Sequence, residues 1–160
     1  MSARTDIPSW DDYFMGLAFQ ASGRSKDPDT QVGAVIVSPE RDVLSTGYNG
    51  LVRGANDNID QRWSRVDGEK YHWCEHAERN AIFGAARRGV ALEGAILYCT
   101  LLPCMDCARA IIQAGITEVV TDREGYEVRS AQDNRWEASH SRTLELLEET
   151  GVTLTWWTKS

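Results

Sequence analysis

The sequence predicts an α/β protein, a three-layer α/β/α sandwich on a five-stranded mixed sheet. Three observations predict it. Short β-branched runs alternate with stretches of helical periodicity. The first two strand candidates are separated only by a turn, as in a hairpin, whereas helices separate the later ones. The composition, 42% hydrophobic and 26% charged over 160 residues, is that of a globular chain. That length predicts one domain, residues 1–160, large enough to need no disulfide staples.

The elements follow in order. Trp10, Phe14, Leu17, Ala18 and Ala21 recur at helical spacing and Gly23 supplies a stop. Gln31 to Val37 reads as a buried strand, Ser38-Pro39-Glu40-Arg41-Asp42 as a turn, and Val43 to Tyr48 as a second strand. Residues 49–73 read as a long polar loop containing Gly50, Gly54 and Gly68, and loops of that length in a compact domain are usually functional. Cys74 to Arg88 reads as a helix, with Ala77, Ala81 and Ala85 at four-residue steps and Gly89 as its stop. A strand at Ala95–Thr100, a helix at Cys104–Gln113 stopped by Gly115, and a strand at Thr117–Thr121 come next. Asp122 to Arg135 is polar and reads as irregular. A last helix at Glu137–Thr150, with Leu144 and Leu147 inward and Gly151 after it, precedes a strand at Val152–Trp157.

Charge and patterning exclude several classes. Seventeen basic against twenty-four acidic residues leave a net charge of −7, which argues against a nucleic-acid polymer as partner but leaves room for one phosphate. No apolar run approaches a membrane span, and the N-terminal stretch shows no signal-peptide core. The expected localisation is cytoplasmic, where thiols stay reduced, so Cys74, Cys99, Cys104 and Cys107 are better metal ligands or buried thiols than disulfides.

Two segments carry chemistry: His76-Ala77-Glu78 and Pro103-Cys104-Met105-Asp106-Cys107, each opening a predicted helix. Cysteines at i and i+3 share one helix face, and the positive helix N-terminus favours their thiolates. Pro103 pre-sets the entry without sacrificing a needed donor. An imidazole from His76 makes three ligands and leaves one open position, the signature of a catalytic rather than a structural zinc site. Zinc brings the pKa of a bound water down toward ~7. Glu78 does not share the ligand direction of His76 but can lean over that water and move its proton. This H-x-E and P-C-x-x-C kit is that of the zinc nucleobase deaminases. A buried thiol pair with a core histidine, or a redox C-x-x-C, is the competing reading; the second leaves His76 and Glu78 unexplained.

With these residues in hand, the chain resembles the deoxycytidylate (dCMP) deaminase family of the cytidine deaminase superfamily. The resemblance runs from about Trp10 to Val152. It includes Tyr13-Phe14-Met15, Arg24-Ser25-Lys26-Asp27-Pro28, Gln31-Val32-Gly33-Ala34, Gly47-Tyr48-Asn49-Gly50, Asn80-Ala81-Ile82 and Ile111-Ile112-Gln113-Ala114-Gly115-Ile116. It implies the cytidine deaminase-like fold and a hydrolase converting dCMP and water to dUMP and ammonia. His76, Cys104 and Cys107 would hold one Zn2+ and Glu78 would shuttle protons. Asn49 would bond the sugar or base edge, the Ala77 backbone N–H the pyrimidine O2, and Tyr126 would wall the pocket. Arg24, Ser25 and Lys26 would cradle the 5′-phosphate. The resemblance also implies a homo-oligomer, often a hexamer, with dCTP and dTTP as effectors and Mg2+ accompanying a nucleotide effector.

The sequence departs from the family pattern after Tyr126, where Glu127-Val128 replaces an expected His or Asp and Glu124 and Glu127 flank the expected pocket. Hence a rival reading is a deaminase of the same fold acting on a nucleoside, dCTP, a modified cytosine nucleotide or another N-heterocycle. A polynucleotide editor and a silent zinc- or nucleotide-binding module are further rivals; net charge disfavours the first and Glu78 the second. Cys74 and His72 are candidates for a second metal site or, more simply, a buried thiol and a loop residue. Cys99 reads as core and His140 as surface. Trp156 and Trp157 read as packing or interface residues. Trp63 and Trp73 could cover a base, and Arg53, Arg62 and Arg65 could meet phosphates.

Overall fold

The structure, a computed structural model, describes residues 3–159. In chain order its elements are α1 (Trp10–Ser22), β1 (Gly33–Val37), β2 (Val43–Tyr48), β3 (Gly50–Leu51), α2 (Glu69–Trp73), β4 (Cys74–Glu75) and α3 (Ala77–Arg88). There follow β5 (Ile96–Cys99), α4 (Met105–Gln113), β6 (Glu118–Asp122), α5 (Arg123–Gln132), α6 (Glu137–Thr150) and β7 (Thr153–Trp157). Short 3-10 turns lie at Asp60–Trp63, Val66–Gly68 and Asn134–Trp136.

The five-stranded sheet has the order β2-β1-β5-β6-β7. β1 runs antiparallel to β2 and β5, while β6 runs parallel to β5 and β7, so the sheet is mixed as the alternation predicts. One face packs α3, α4 and α6 through Ala81, Ala85, Ala108, Ile111 and Leu147 onto Ala34, Ile36, Leu97 and Val119. The other face packs α1 through Phe14, Met15 and Ala18 onto Val35, Val37, Tyr98 and Val120. β1, buried along its whole length, is therefore an unbroken apolar run.

Two glycines set how closely the helices lie. A Cβ on Gly33 would come 1.9 Å from the Ala18 carbonyl oxygen of α1, and one on Gly47 would come 2.1 Å from the Ala77 carbonyl oxygen of α3. With alanines at four-residue steps, α3 thus sits directly on β2 and its first turn has little freedom. The excursion 49–73 is closed at its base by the β3–β4 ribbon, which pairs Gly50 with Glu75 and Leu51 with Cys74.

The structure departs from the sequence expectations at particular places. The helix expected from Cys74 begins at Ala77, because Cys74 and Glu75 pair with β3 and His76 is extended, with φ −82° and ψ 156°. The stretch 122–135, read as irregular, is α5 and a 3-10 turn. Asp122 caps α5 by accepting from the Gly125 backbone N–H at 3.1 Å, and Arg123 pairs with Glu127 at 2.9 Å. Part of the 49–73 loop is α2. Leu144, expected inward, is 37% exposed, whereas Leu147 is buried. Among the described residues no helix is long and apolar enough to cross a membrane.

Candidate active site

The site forms where the N-termini of α3 and α4 meet. His76 is the N-cap of α3 and Cys104 the N-cap of α4, with Cys107 in the first turn of α4. The two backbones hold fixed approaches: His76 N–H donates to the Glu75 carboxylate at 3.0 Å, and Met105 N–H donates to the Ser139 hydroxyl of α6 at 2.9 Å. His76 Nδ1 lies 3.4 Å from Cys104 Sγ and 3.4 Å from Cys107 Sγ. All three ligand atoms fall within 4.8 Å of one another, and they form the one cluster of three or more such donors among the described residues.

This triangle fits a tetrahedral ion. Bond lengths of about 2.3 Å to sulfur and about 2.0 Å to nitrogen place the two ligand atoms about 3.5 Å apart. The three donors also share protons among themselves. The Cys107 hydrogen bond, and then His76, hold the Cys104 thiol well below its usual range, while donating that bond drives Cys107 up. The bond to Cys104 pushes His76 up to about 9.

Glu78, in the first turn of α3, is 4% exposed and lines the same cavity as His76 and Cys104. Burial raises its carboxyl pKa, with the His76 charge opposing. A carboxyl that holds its proton more tightly than usual, beside a metal-type donor set, is suited to proton transfer. Above it Trp136 sets its ring edge-on to His76 and to Tyr71, each at 5.9 Å between centroids. Tyr126 packs against His140 at 5.4 Å and Trp156 at 5.1 Å.

Residues 8–122 match the family described as the cytidine and deoxycytidylate deaminase zinc-binding region. The chain belongs to this family. The human deoxycytidylate deaminase is 41% identical over 127 residues, covering 77% of this chain and 70% of that one. An uncharacterized deaminase from the luxG 3′ region of Aliivibrio fischeri is 36% identical over 150 residues, covering 94% of this chain and 95% of the relative. The crystal structure of the dCMP deaminase from cyanophage S-TIM5 in apo form superposes with a TM-score of 0.66 at 25% identity, covering 94% of this chain and 99% of that one.

Measured against what was expected of a member of this deaminase family, the geometry sorts the candidate residues. His76, Cys104, Cys107 and Glu78 converge. Asn49, Ala77 and Tyr126 line the cavity beside them. Both Nδ2 hydrogens of Asn49 are spoken for, donating to Asp27 Oδ2 at 3.0 Å and Thr30 O at 2.8 Å, so only its oxygen, which accepts from Val32 N–H at 2.8 Å, has capacity left. Arg24, Ser25 and Lys26 do not reach the lining. Ser25 donates to the Asn49 carbonyl at 2.8 Å, and Lys26 pairs with Asp57 at 2.5 Å.

The cations that do line the cavity are Arg65, Lys70, Arg129 and Arg135. Of these only Arg65 was a sequence candidate. The missed signal is the spacing of Tyr126, Arg129 and Ser130, which puts all three on one face of a helix. His140, read as surface, is half-buried and lines the cavity, and burial lowers its pKa. Trp63 and Trp73 face elsewhere: Trp63 donates to the Asp57 carbonyl at 2.9 Å, and Trp73 donates to Glu69 at 2.7 Å under the Arg62 guanidinium. Cys74 lines the cavity and His72 is exposed, but neither joins the donor triangle.

Proposed function

We propose that this chain, as one deaminase domain spanning 1–160, hydrolyses the exocyclic amine of a pyrimidine nucleotide, converting dCMP and water to dUMP and ammonia. The observation that carries the reading is the buried carboxylate of Glu78 facing the same cavity as the His76, Cys104 and Cys107 triangle. That triangle would hold a single Zn2+, which when bound supplies the Lewis acidity that makes water a nucleophile near neutral pH. Glu78 takes a proton from the attacking water, delivers it to the ring nitrogen beside the reacting carbon, and then moves a proton to the departing amine. Ala77, at the first helical position of α3, has an amide without an intrahelical acceptor and can donate to the pyrimidine O2. Tyr126 and Trp136 wall the base from bulk water.

The relatives named for deoxycytidylate deamination support dCMP over other substrates. The family resemblance supports the finer parts of the reading, a cytoplasmic homo-oligomer with Mg2+ accompanying an effector, and its Gly47-Tyr48-Asn49-Gly50 segment supports dCTP and dTTP as effectors. One observation favours a second reading. α5, which carries Tyr126 and Arg129, begins at Arg123, past the family match that ends at 122, so another aminated nucleotide could be taken by the same chemistry. Initial rates on dCMP, deoxycytidine and dCTP decide between them. Preference for dCMP upholds the first reading, and turnover of deoxycytidine at equal efficiency overturns it.

A further inference from the structure

We infer that Arg129 and Arg65, spaced by the hydroxyl of Thr30, form the seat of a phosphomonoester on the outer wall of the cavity. The inference rests on the reading of the site as a nucleotide deaminase, and it replaces the Arg24, Ser25 and Lys26 cradle. Arg129 Nη1 donates to Thr30 Oγ1 at 2.8 Å, and Arg65 Nη2 donates to the same oxygen at 3.1 Å. Two guanidinium groups thus converge on one neutral atom, and since Asp29 answers only Arg65, an anion bound between them would offset the charge that remains on Arg129. Both side chains and Thr30 line the cavity that contains Glu78 and His76.

The charge balance points the same way. Arg65 is answered by Asp29 at 2.8 Å, Lys70 by Asp27 at 2.5 Å, and Arg135 by Asp133. Arg129 has only the Thr30 hydroxyl as its partner, with no carboxylate paired to it among the described residues. One cation is left over, which suits a single phosphate better than a triphosphate. The Thr30 oxygen accepts twice, so its own hydrogen is free to donate to a third acceptor. Two planar donor forks and one hydroxyl match the tetrahedral oxygens of a phosphomonoester.

The experiment compares wild type with Arg129→Ala and Arg129→Lys by two readouts. The first is the ratio of kcat/KM on dCMP to that on deoxycytidine. The second, which needs no turnover, is the calorimetric affinity for dUMP relative to deoxyuridine. Both ratios should fall about 100-fold in Arg129→Ala, with the kinetic loss carried by KM, and less in Arg129→Lys, which keeps charge but loses the fork. Arg65→Ala should lower them less, because Asp29 already holds that side chain. Ratios unmoved by Arg129→Ala overturn the inference, as does a wild type that binds dUMP no more tightly than deoxyuridine. A wild type that binds dUMP through Arg129 yet deaminates no nucleotide overturns the proposed function and leaves the phosphate seat standing.

Discussion

Lys70 Nζ lies 2.5 Å from Asp27 Oδ2 and 2.7 Å from Asp27 Oδ1, in an ion pair whose side chains are 5% and 1% exposed. Asp27 also accepts from the Asp29 and Thr30 backbone N–H groups and from Asn49 Nδ2. Its carboxylate is thereby satisfied from several directions, as a buried charge must be. The pair pins α2, and with it the excursion after β2, onto the turn that follows α1. Replacing Lys70 by Met should strand a buried carboxylate and cost about 3–5 kcal/mol, read from the denaturant midpoint. Adding Asp27→Asn should recover part of that loss, a coupling that a double-mutant cycle measures.

Glu78→Gln should retain one equivalent of zinc by metal analysis while kcat falls by roughly 10²–10⁴. An amide can hydrogen-bond where the carboxylate did but cannot ferry a proton. Substantial residual turnover would contradict the proton-shuttle role.

Gly47→Ala should damage activity from outside the cavity. Its methyl group would meet the Ala77 carbonyl oxygen at 2.1 Å and the Ala81 amide nitrogen at 2.5 Å. Those atoms are helix backbone and cannot swing aside, so the first turn of α3 must shift and carry His76 and Glu78 with it. We expect a lower melting temperature together with reduced zinc retention after dialysis. Gly16→Ala, inside α1 with nothing within 4 Å of the added methyl, is the control that should leave zinc retention unchanged and not lower the melting temperature.

The Cys74 thiol is pushed up to about 11 from its usual 9.0, chiefly by burial, with the negative charges of Asp27 and Glu75 adding and Lys70 opposing. The folded protein therefore holds that proton more tightly than the unfolded chain does. Below pH 9 the shift leaves stability unaffected; between about 9 and about 11 the unfolded state ionises first and stability falls with rising pH. Cys74→Ser should remove that alkaline decline in an unfolding-versus-pH series. Iodoacetamide should modify Cys74 far more slowly at neutral pH than it modifies a free thiol.

Chelation of the metal should release Cys104 and Cys107 as ligands and lower the melting temperature, because an ion that binds only the folded state stabilises it. Peptide mapping after alkylation should show those two cysteines labelled only in the stripped protein, with Cys99 protected in both.

Much of the architecture was legible because its elements carry strong periods. β2 and α6 have the boundaries that the sequence predicts, Val43–Tyr48 and Glu137–Thr150. The donor triangle was legible because its residue types are rare and sit at helix starts. α5 was not, since it buries no residue and its apolar side chains, Tyr126, Val128 and Ala131, make no continuous stripe. The cations that line the cavity were hidden for a related reason. Arg24 to Lys26 lie in a suggestive stretch of chain, but Asp57 draws Lys26 away, while Thr30, Arg65 and Arg129 meet only through tertiary packing. His140 and Leu144 depart from expectation because His140 borders the cavity while Leu147, not Leu144, carries the burial of α6.

α5 and its following 3-10 turn form one unbroken stretch between β6 and α6, and none of the donor triangle or Glu78 lies within it. One wall of the cavity, carrying Tyr126, Arg129 and Trp136, is thus encoded apart from the donor set, while Thr30, Asn49 and Arg65 supply the rest of the lining from earlier in the chain. A recombined or redesigned cassette in that interval could redirect the catalyst toward a new cargo while its reactive machinery stays intact.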